Sequence, residues 1–331
     1  MQIISSPKTL DAILESGFIQ NTLFGGAPYS TQFDPQKCIG HIVVYVELYE
    51  IDLELIHKIK AAGNKVVLYH MGDELADKNT GAYIACDLII RNYFFSEILS
   101  RPELAEKILW APNGCKTGVG PRAVDTLQKT SSRQYLSCFL GWLSNAASFN
   151  GERALFSEAV AAWSGTKKRR INNVAQWLKQ YLSLSKEYLA FSKVAPSCAA
   201  DLHLLSSAGF SNGYNVGLYS ATMEGSIFAP CPAGNSPETI RLYDALESGC
   251  IPVSLKHEFL MSSNALGELG VPPFVFLSSW NQFPDFLAQM KGKMVTHPQE
   301  IQQMQDDCIA WWANYKHHLS QKITKRIEKL Q

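Results

Sequence analysis

The chain has no net charge to offer: among its 331 residues, 30 Lys and Arg are balanced by 30 Asp and Glu. A neutral protein lacks the electrostatic footprint that nucleic acid demands. Its one compact basic run, Lys167 to Arg170, reads as a solvated helix start or loop. Zinc-type spacing is missing too. The eight cysteines (Cys38, Cys86, Cys115, Cys138, Cys198, Cys231, Cys250 and Cys308) form no CxxC pair and no Cys/His cluster. Several, such as Cys138 and Cys250, stand in apolar strands, where a reduced thiol acts as a small hydrophobe; no disulfide framework is expected. Neither GxxxxGK[ST] nor a GxGxxG after a strand occurs, which argues against kinase and dehydrogenase chemistry. Long apolar runs and a basic-then-apolar leader are also lacking, so the expected location is cytoplasmic, without a transmembrane segment. The length exceeds one ordinary core, and two domains are expected.

What the chain does carry is concentrated between Ser226 and Leu255. Ser226 to Pro230 is small and apolar, like a strand covered on both faces. A Gly/Asn/Pro loop follows, then a helix for which Ser236 is the expected N-cap, Pro237 the first helical residue and Glu238 a first-turn carboxylate. Gly249 stops that helix, and Cys250 to Leu255 is the next buried strand. Such a βα junction sets free backbone N–H groups and a positive helix end at the carboxyl edge of a sheet, where phosphates bind. Arg241 and Asp244 share one helix face, while Leu242, Ala245 and Leu246 point elsewhere. A guanidinium there suits a diphosphate, and a carboxylate on the same face suits ribose hydroxyls. A solvated surface ion pair is the competing reading.

The string Arg241-Leu-Tyr-Asp-Ala-Leu, followed by Gly249-Cys-Ile-Pro-Val, closely resembles the signature of exostosin-like glycosyltransferases. That resemblance implies an α/β protein of GT-B class: two Rossmann-like, doubly wound domains facing across a cleft, with the nucleotide-sugar on the second. It implies Arg241 on the donor pyrophosphate and Asp244, where the family usually has Glu, on the donor ribose. Gly234, Asn235, Ser236, Glu238 and Thr239 would line the donor site by their place in the junction. Arg153, just inside a helix after Gly151, would lie near the donor phosphates by the same family pattern, with simple local capping as its alternative. Ser211 to Tyr219, rich in Gly, Asn and Tyr, is expected to be a cleft loop, with Tyr214 or Tyr219 against the base or merely packed.

Elsewhere the pattern is alternating α/β. Strands are expected at His41 to Leu48, Lys65 to His70, Asp87 to Arg91 and Ile108 to Pro112, with a helix from Asp52 to Ala62. The stretch from Thr117 to Ser132 loses apolar periodicity and places the crossing between domains 1–130 and 131–296. Beyond it, Tyr135 to Leu140 is the first strand of the second domain. A final helix at 297–331 carries Ile301, Met304, Cys308, Trp311, Tyr315, Leu319 and Ile323 on one stripe. The resemblance implies that it packs back on the first domain; a dimer-forming helix, and so a homodimer, is the rival.

Transfer with inversion requires a base for the acceptor hydroxyl, and stabilisation of the departing diphosphate. Base candidates follow the Lys65 to His70 strand: Asp73 and Glu74, then His70 itself, with helix capping as the plain alternative for the carboxylates. The string His-x-Gly-Asp-Glu, with Arg91-Asn92-Tyr93 downstream, is similar to the ribitol xylosyltransferase branch of the family. Xylose from a UDP-sugar, passed to a hydroxyl of a glycan or polysaccharide, is therefore the expected reaction. A GDP-sugar (fucosyl-type) enzyme, or a non-catalytic glycan- or nucleotide-sugar-binding subunit, are the alternatives. No Asp-x-Asp triplet occurs, so no metal or other cofactor is expected to be required. Stimulation by Mg²⁺ or Mn²⁺ is compatible with that.

Overall fold

The computed structural model describes residues 1–34, 41–143, 148–164, 201–207 and 215–331. The runs at Lys167 to Arg170 and around Tyr214, together with Asn145, Cys38 and Cys198, lie outside the described residues. Two compact units emerge. Unit 1 comprises Met1–Pro121, Glu258–Pro272 and Trp312–Gln331; unit 2 comprises Arg122–His257 and Pro273–Trp311.

Unit 1 is built on a parallel six-stranded sheet of β1 (Gln2–Ile4), β2 (Tyr29–Ser30), β3 (Ile42–Glu47), β4 (Lys65–His70), β5 (Leu88–Arg91) and β6 (Ile108–Trp110), in the order β2-β1-β3-β4-β5-β6. Every residue of β3 is buried, which requires cover on both faces. On one face Val43, Tyr45, Val66, Leu68 and Ile89 pack with Ile56 and Ile59 of helix α1 (Leu53–Ala61). Asp52 caps that helix by accepting the Leu55 N–H at 2.9 Å.

Unit 2 holds a parallel five-stranded sheet of β7 (Tyr135–Gly141), β8 (Leu202–Ser206), β9 (Ser226–Pro230), β10 (Ile251–Leu255) and β11 (Val275–Leu277), ordered β11-β10-β9-β7-β8. Its helices include α2 (Glu152–Ser164), α3 (Val216–Glu224), α4 (Ile240–Glu247) and α5 (Phe283–Thr296). The first strand of each unit thus lies between the second and third, so both sheets reverse direction of winding beside their first strand. The α/β class with two Rossmann-like, parallel sheets is as expected.

Three local expectations are corrected. The junction helix begins at Ile240, with Thr239 as an extended N-cap (φ −105°, ψ 136°), rather than at Ser236 and Pro237. Side chains hold the preceding turn out of the helix: Ser236 Oγ accepts the Glu238 N–H, and Tyr243 donates to Glu238 Oε1 at 2.8 Å. Tyr219 lies on helix α3 rather than in a loop. On the last helix, α6 (Pro298–Glu328), the buried stripe runs through Gln305 and Trp312 in place of Met304 and Trp311. Gln305 is recruited inward because its amide caps the Gln128 and Gly249 carbonyls, at 3.1 and 2.8 Å. Trp312 stacks on Phe18 within unit 1. The residues of α6 up to Trp311 belong to unit 2 and those from Trp312 onward to unit 1.

Arg133 anchors the amino-terminal edge of the unit 2 sheet. It is buried and donates to the carbonyls of Gln128, Ser226 and Ser248 at 3.0, 2.5 and 2.8 Å. The Ser248 carbonyl belongs to the end of α4, so the cation also meets the negative end of that helix. Replacing Arg133 with Met strands these carbonyls. Urea denaturation should show a loss of about 3 kcal/mol, with Arg133→Lys intermediate.

Candidate functional site

Ligands of open parallel sheets gather outside the carboxyl ends of the strands where winding reverses. In unit 2 that point lies between β7 and β9, and the junction singled out by sequence stands there. Arg241, on the first turn of α4, is buried. Its guanidinium lies 4.1 Å from the Phe139 ring centroid and donates to the Leu140 carbonyl at the end of β7. Gly141 leaves room for this approach: a Cβ there would collide with Arg241 Nη2, and its φ of 152° disfavours other residues. Among the described residues Arg241 Nε has no hydrogen-bond partner.

Asp244 is fully buried one turn further on, where its Oδ2 accepts from the Tyr219 hydroxyl at 2.9 Å. Burial, and then the Asp244 charge, push the Tyr219 pKa well above its ordinary value, while Arg241 opposes them; Tyr219 therefore stays a donor. The burial of both charges does not fit a solvated surface pair. Cys231, just past β9, is likewise driven up by burial and is no nucleophile.

The loop between β9 and α4 is fastened to the segment after β7. Glu152 Oε2 accepts the Ala233 N–H and the Trp280 indole N–H, each at 3.1 Å. Arg153 Nε donates to the Ala233 carbonyl at 3.1 Å, and its Nη1 to the Trp142 carbonyl at 2.8 Å. Arg153 Nη2 also stands 3.3 Å from where a Gly234 Cβ would be. Ser236, Glu238 and Thr239 are buried in the same turn, whereas Gly234 is half-buried and Asn235 exposed. Glu152 is the member that sequence reading missed. A carboxylate at the first position of a helix reads as ordinary dipole complement, and nothing local signals its long-range partners.

In unit 1 the base candidates sit at the ends of β4 and β5. Asp73 is buried and forms an ion pair with Arg91 at 3.1 Å, whose Nη2 also meets the Asp73 carbonyl at 3.3 Å. Asp73 Oδ1 accepts the Lys78 N–H at 3.0 Å, so this carboxylate shapes its own loop. Glu74 is half-buried. His70 is buried, with Nδ1 2.6 Å from the Tyr83 hydroxyl. Arg91 Nη1 donates to that same hydroxyl at 3.3 Å, and His70 Nε2 has no hydrogen-bond partner among the described residues. Burial, joined by the Arg91 charge and resisted by Asp73, Glu47 and the Tyr49 backbone, lowers its pKa to about 4. Among the described residues no group of three or more His, Cys, Asp or Glu is placed to hold a metal ion.

The His70 shift has a measurable sign. The unfolded chain takes up a proton near pH 6.5, the folded chain only near 4, so stability falls as pH drops through that window. The loss at its foot is about 3 kcal/mol. Urea titrations at pH 7 and pH 4.5 should show this slope, and His70→Gln should flatten it.

Residues 211–330 match the family model described as RXYLT1 C-terminal domain. Ribitol-5-phosphate xylosyltransferase 1 of Homo sapiens is 27% identical over 111 residues, and that of Mus musculus 29% over 111 residues. Each match covers 30% of this chain and 24% of the relative, so the chain aligns with about a quarter of the length of these curated proteins. Among solved structures, a glycosyltransferase from Rickettsia africae ESF-5 aligns over 99% of this chain and 98% of its own, with TM-score 0.49 and 9% identity. The pneumococcal O-GlcNAc transferase GtfA, in complex with UDP and GlcNAc, aligns over 89% of this chain and 58% of its own, with TM-score 0.47 and 10% identity. No helix among the described residues is long and apolar enough to cross a membrane. The family match thus covers the part of the chain that carries Arg241 and the β9–α4 junction, while the His70–Glu74 and Arg91–Tyr93 strings that resemble the ribitol xylosyltransferase branch lie outside it.

Proposed function

We propose that the chain is an inverting glycosyltransferase that moves xylose from a UDP-sugar to a hydroxyl of a glycan or polysaccharide. The carrying observation is the buried Arg241 guanidinium at the winding reversal of unit 2, with a single hydrogen bond to protein among the described residues. Guanidinium offers five donors, and burying them without partners is costly. A diphosphate takes several at once and supplies the opposite charge. The branch matched by residues 211–330 supports xylose as the transferred sugar, since its relatives are named as xylosyltransferases.

In this reaction the acceptor oxygen attacks the anomeric carbon as the bond to the diphosphate breaks, and the leaving group departs with the electron pair. Arg241 and the first amides of α4 offset the growing charge, so the mechanism needs no cation. The acceptor proton goes to Glu74. Glu74 is half-buried, whereas Asp73 is buried and paired with Arg91, and His70 is buried against the Tyr83 hydroxyl. Asp73 and Arg91 then act as the frame of the Glu74 loop. The protein would work as a cytoplasmic enzyme on soluble donor.

A panel of UDP- and GDP-sugars, scored for enzyme-dependent nucleotide release, tests the proposal. UDP-xylose should give the highest rate, and Glu74→Gln should lower kcat by roughly 10²–10⁴-fold with donor binding retained. Release from GDP-sugars alone would overturn the donor, and an unimpaired Glu74→Gln enzyme would overturn the base.

A further inference from the structure

A buried carboxylate stands beside the guanidinium that unit 2 offers to its donor. Arg241 and Asp244 are three residues apart on α4, so their side chains share a face. Helical side chains lean toward the amino end, which carries Asp244 over the turn of Arg241. Tyr219 on α3 and Cys231 past β9 lie within range of both charges. Burial raises the pKa of each; beyond that, Asp244 pushes each up and Arg241 pulls each down. Two opposite charges so close in a buried setting favour a direct ion pair. Arg241 instead makes its one hydrogen bond among the described residues to the Leu140 carbonyl, and its Nε has none. Asp244 Oδ2 takes the Tyr219 hydroxyl at 2.9 Å. With no exposed surface, Asp244 also has no face to offer a ribose hydroxyl.

We infer that Tyr219 is a positioning residue: it holds Asp244 as a buried counter-charge to Arg241 while keeping that carboxylate off the guanidinium, so that Asp244 serves the diphosphate clasp and not the ribose. This rests on unit 2 being the donor site. A counter-charge is needed because a buried guanidinium alone is costly before any ligand arrives. A closed ion pair would defeat binding, since the diphosphate would first have to displace the carboxylate. A phenol meets both needs, being a neutral donor that is itself buried. The helices that carry the two partners are also tied to one another. Arg122 Nη2 donates to Ser220 Oγ of α3 at 2.6 Å, and the Arg122 N–H donates to Glu247 Oε2 of α4 at 2.9 Å. The spacing between the Tyr219 hydroxyl and Asp244 is thereby set by backbone elements rather than by the pair alone.

Calorimetric titration of UDP and uridine into variants of the full chain, with urea denaturation alongside, tests the inference. Tyr219→Phe removes only the hydroxyl. UDP affinity should fall about tenfold, the scale of one hydrogen bond to a charged group, while uridine affinity moves by less than about twofold. Asp244→Asn still accepts from Tyr219 but gives up the charge. It should lower the urea midpoint and bind UDP about threefold tighter, because nothing then offsets the pull of Arg241 on an anion. In the double variant the Tyr219→Phe defect should vanish, since no carboxylate remains to turn toward Arg241. Unchanged UDP affinity in Tyr219→Phe, or an equal loss for uridine, would overturn the positioning role. A double variant as weak as Tyr219→Phe alone would do the same. If Asp244→Asn weakens UDP and erases its preference over 2′-deoxy-UDP, the carboxylate is a ribose ligand and the inference fails. An unmodified chain that does not bind UDP would instead sink the donor-site reading itself.

Discussion

The buried cation at the carboxyl end of β7 is the constraint around which unit 2 is arranged. Arg241 is placed by an aromatic face beneath it, a backbone carbonyl at its tip and a glycine that leaves room for it. A cation–π contact of this desolvated kind contributes about 2 kcal/mol, which falls short of the cost of burying a charge. The remaining stabilisation is electrostatic. The carboxylate of Asp244 lies within the same helix face, held by Tyr219, and both charges are felt by Tyr219 and Cys231. An arrangement that leaves donor capacity in a buried guanidinium favours an anionic ligand over an empty site.

Both units share one winding pattern yet place their polar groups differently. In unit 2 the Arg241 and Glu152 groups cluster where the winding reverses. At the equivalent place in unit 1, Glu47 already accepts from Thr9, Tyr45, Leu48 and Tyr49 and is saturated. Unit 1 instead gathers His70, Tyr83, Arg91 and Asp73 beyond β4 and β5. Arg91 ties that network together, donating to the Tyr83 hydroxyl, the Asn92 carbonyl and both the carbonyl and Oδ2 of Asp73. Its effect is to hold a loop in place and keep a histidine neutral.

Much of this was legible in the sequence because it follows from local rules. Lys65–His70 and Ser226–Pro230 occur as strands with the expected bounds, since apolar runs of that length fit only buried strands once Gly and Pro fence them. Asp52 caps its helix for the same local reason. The start of α4 misled because Ser-Pro-Glu is a sound helix start by itself. Tyr243, reaching back to Glu238, overrode it. The stripe on α6 was misjudged by one position twice, where Gln305 and Trp312 answer to partners remote in sequence. Glu152 and the Asp73–Arg91 pair were invisible as pairs, for periodicity carries no information on which distant side chain meets which.

The most direct test compares UDP with uridine by calorimetric titration into the unmodified chain and an Arg241→Met variant. A diphosphate clasp predicts that UDP binds at least about a hundredfold tighter than uridine, in keeping with a bidentate charged contact, and that the substitution erases most of that gap. Equal affinity for UDP and uridine in the unmodified chain, or a gap that survives loss of the guanidinium, would contradict the account.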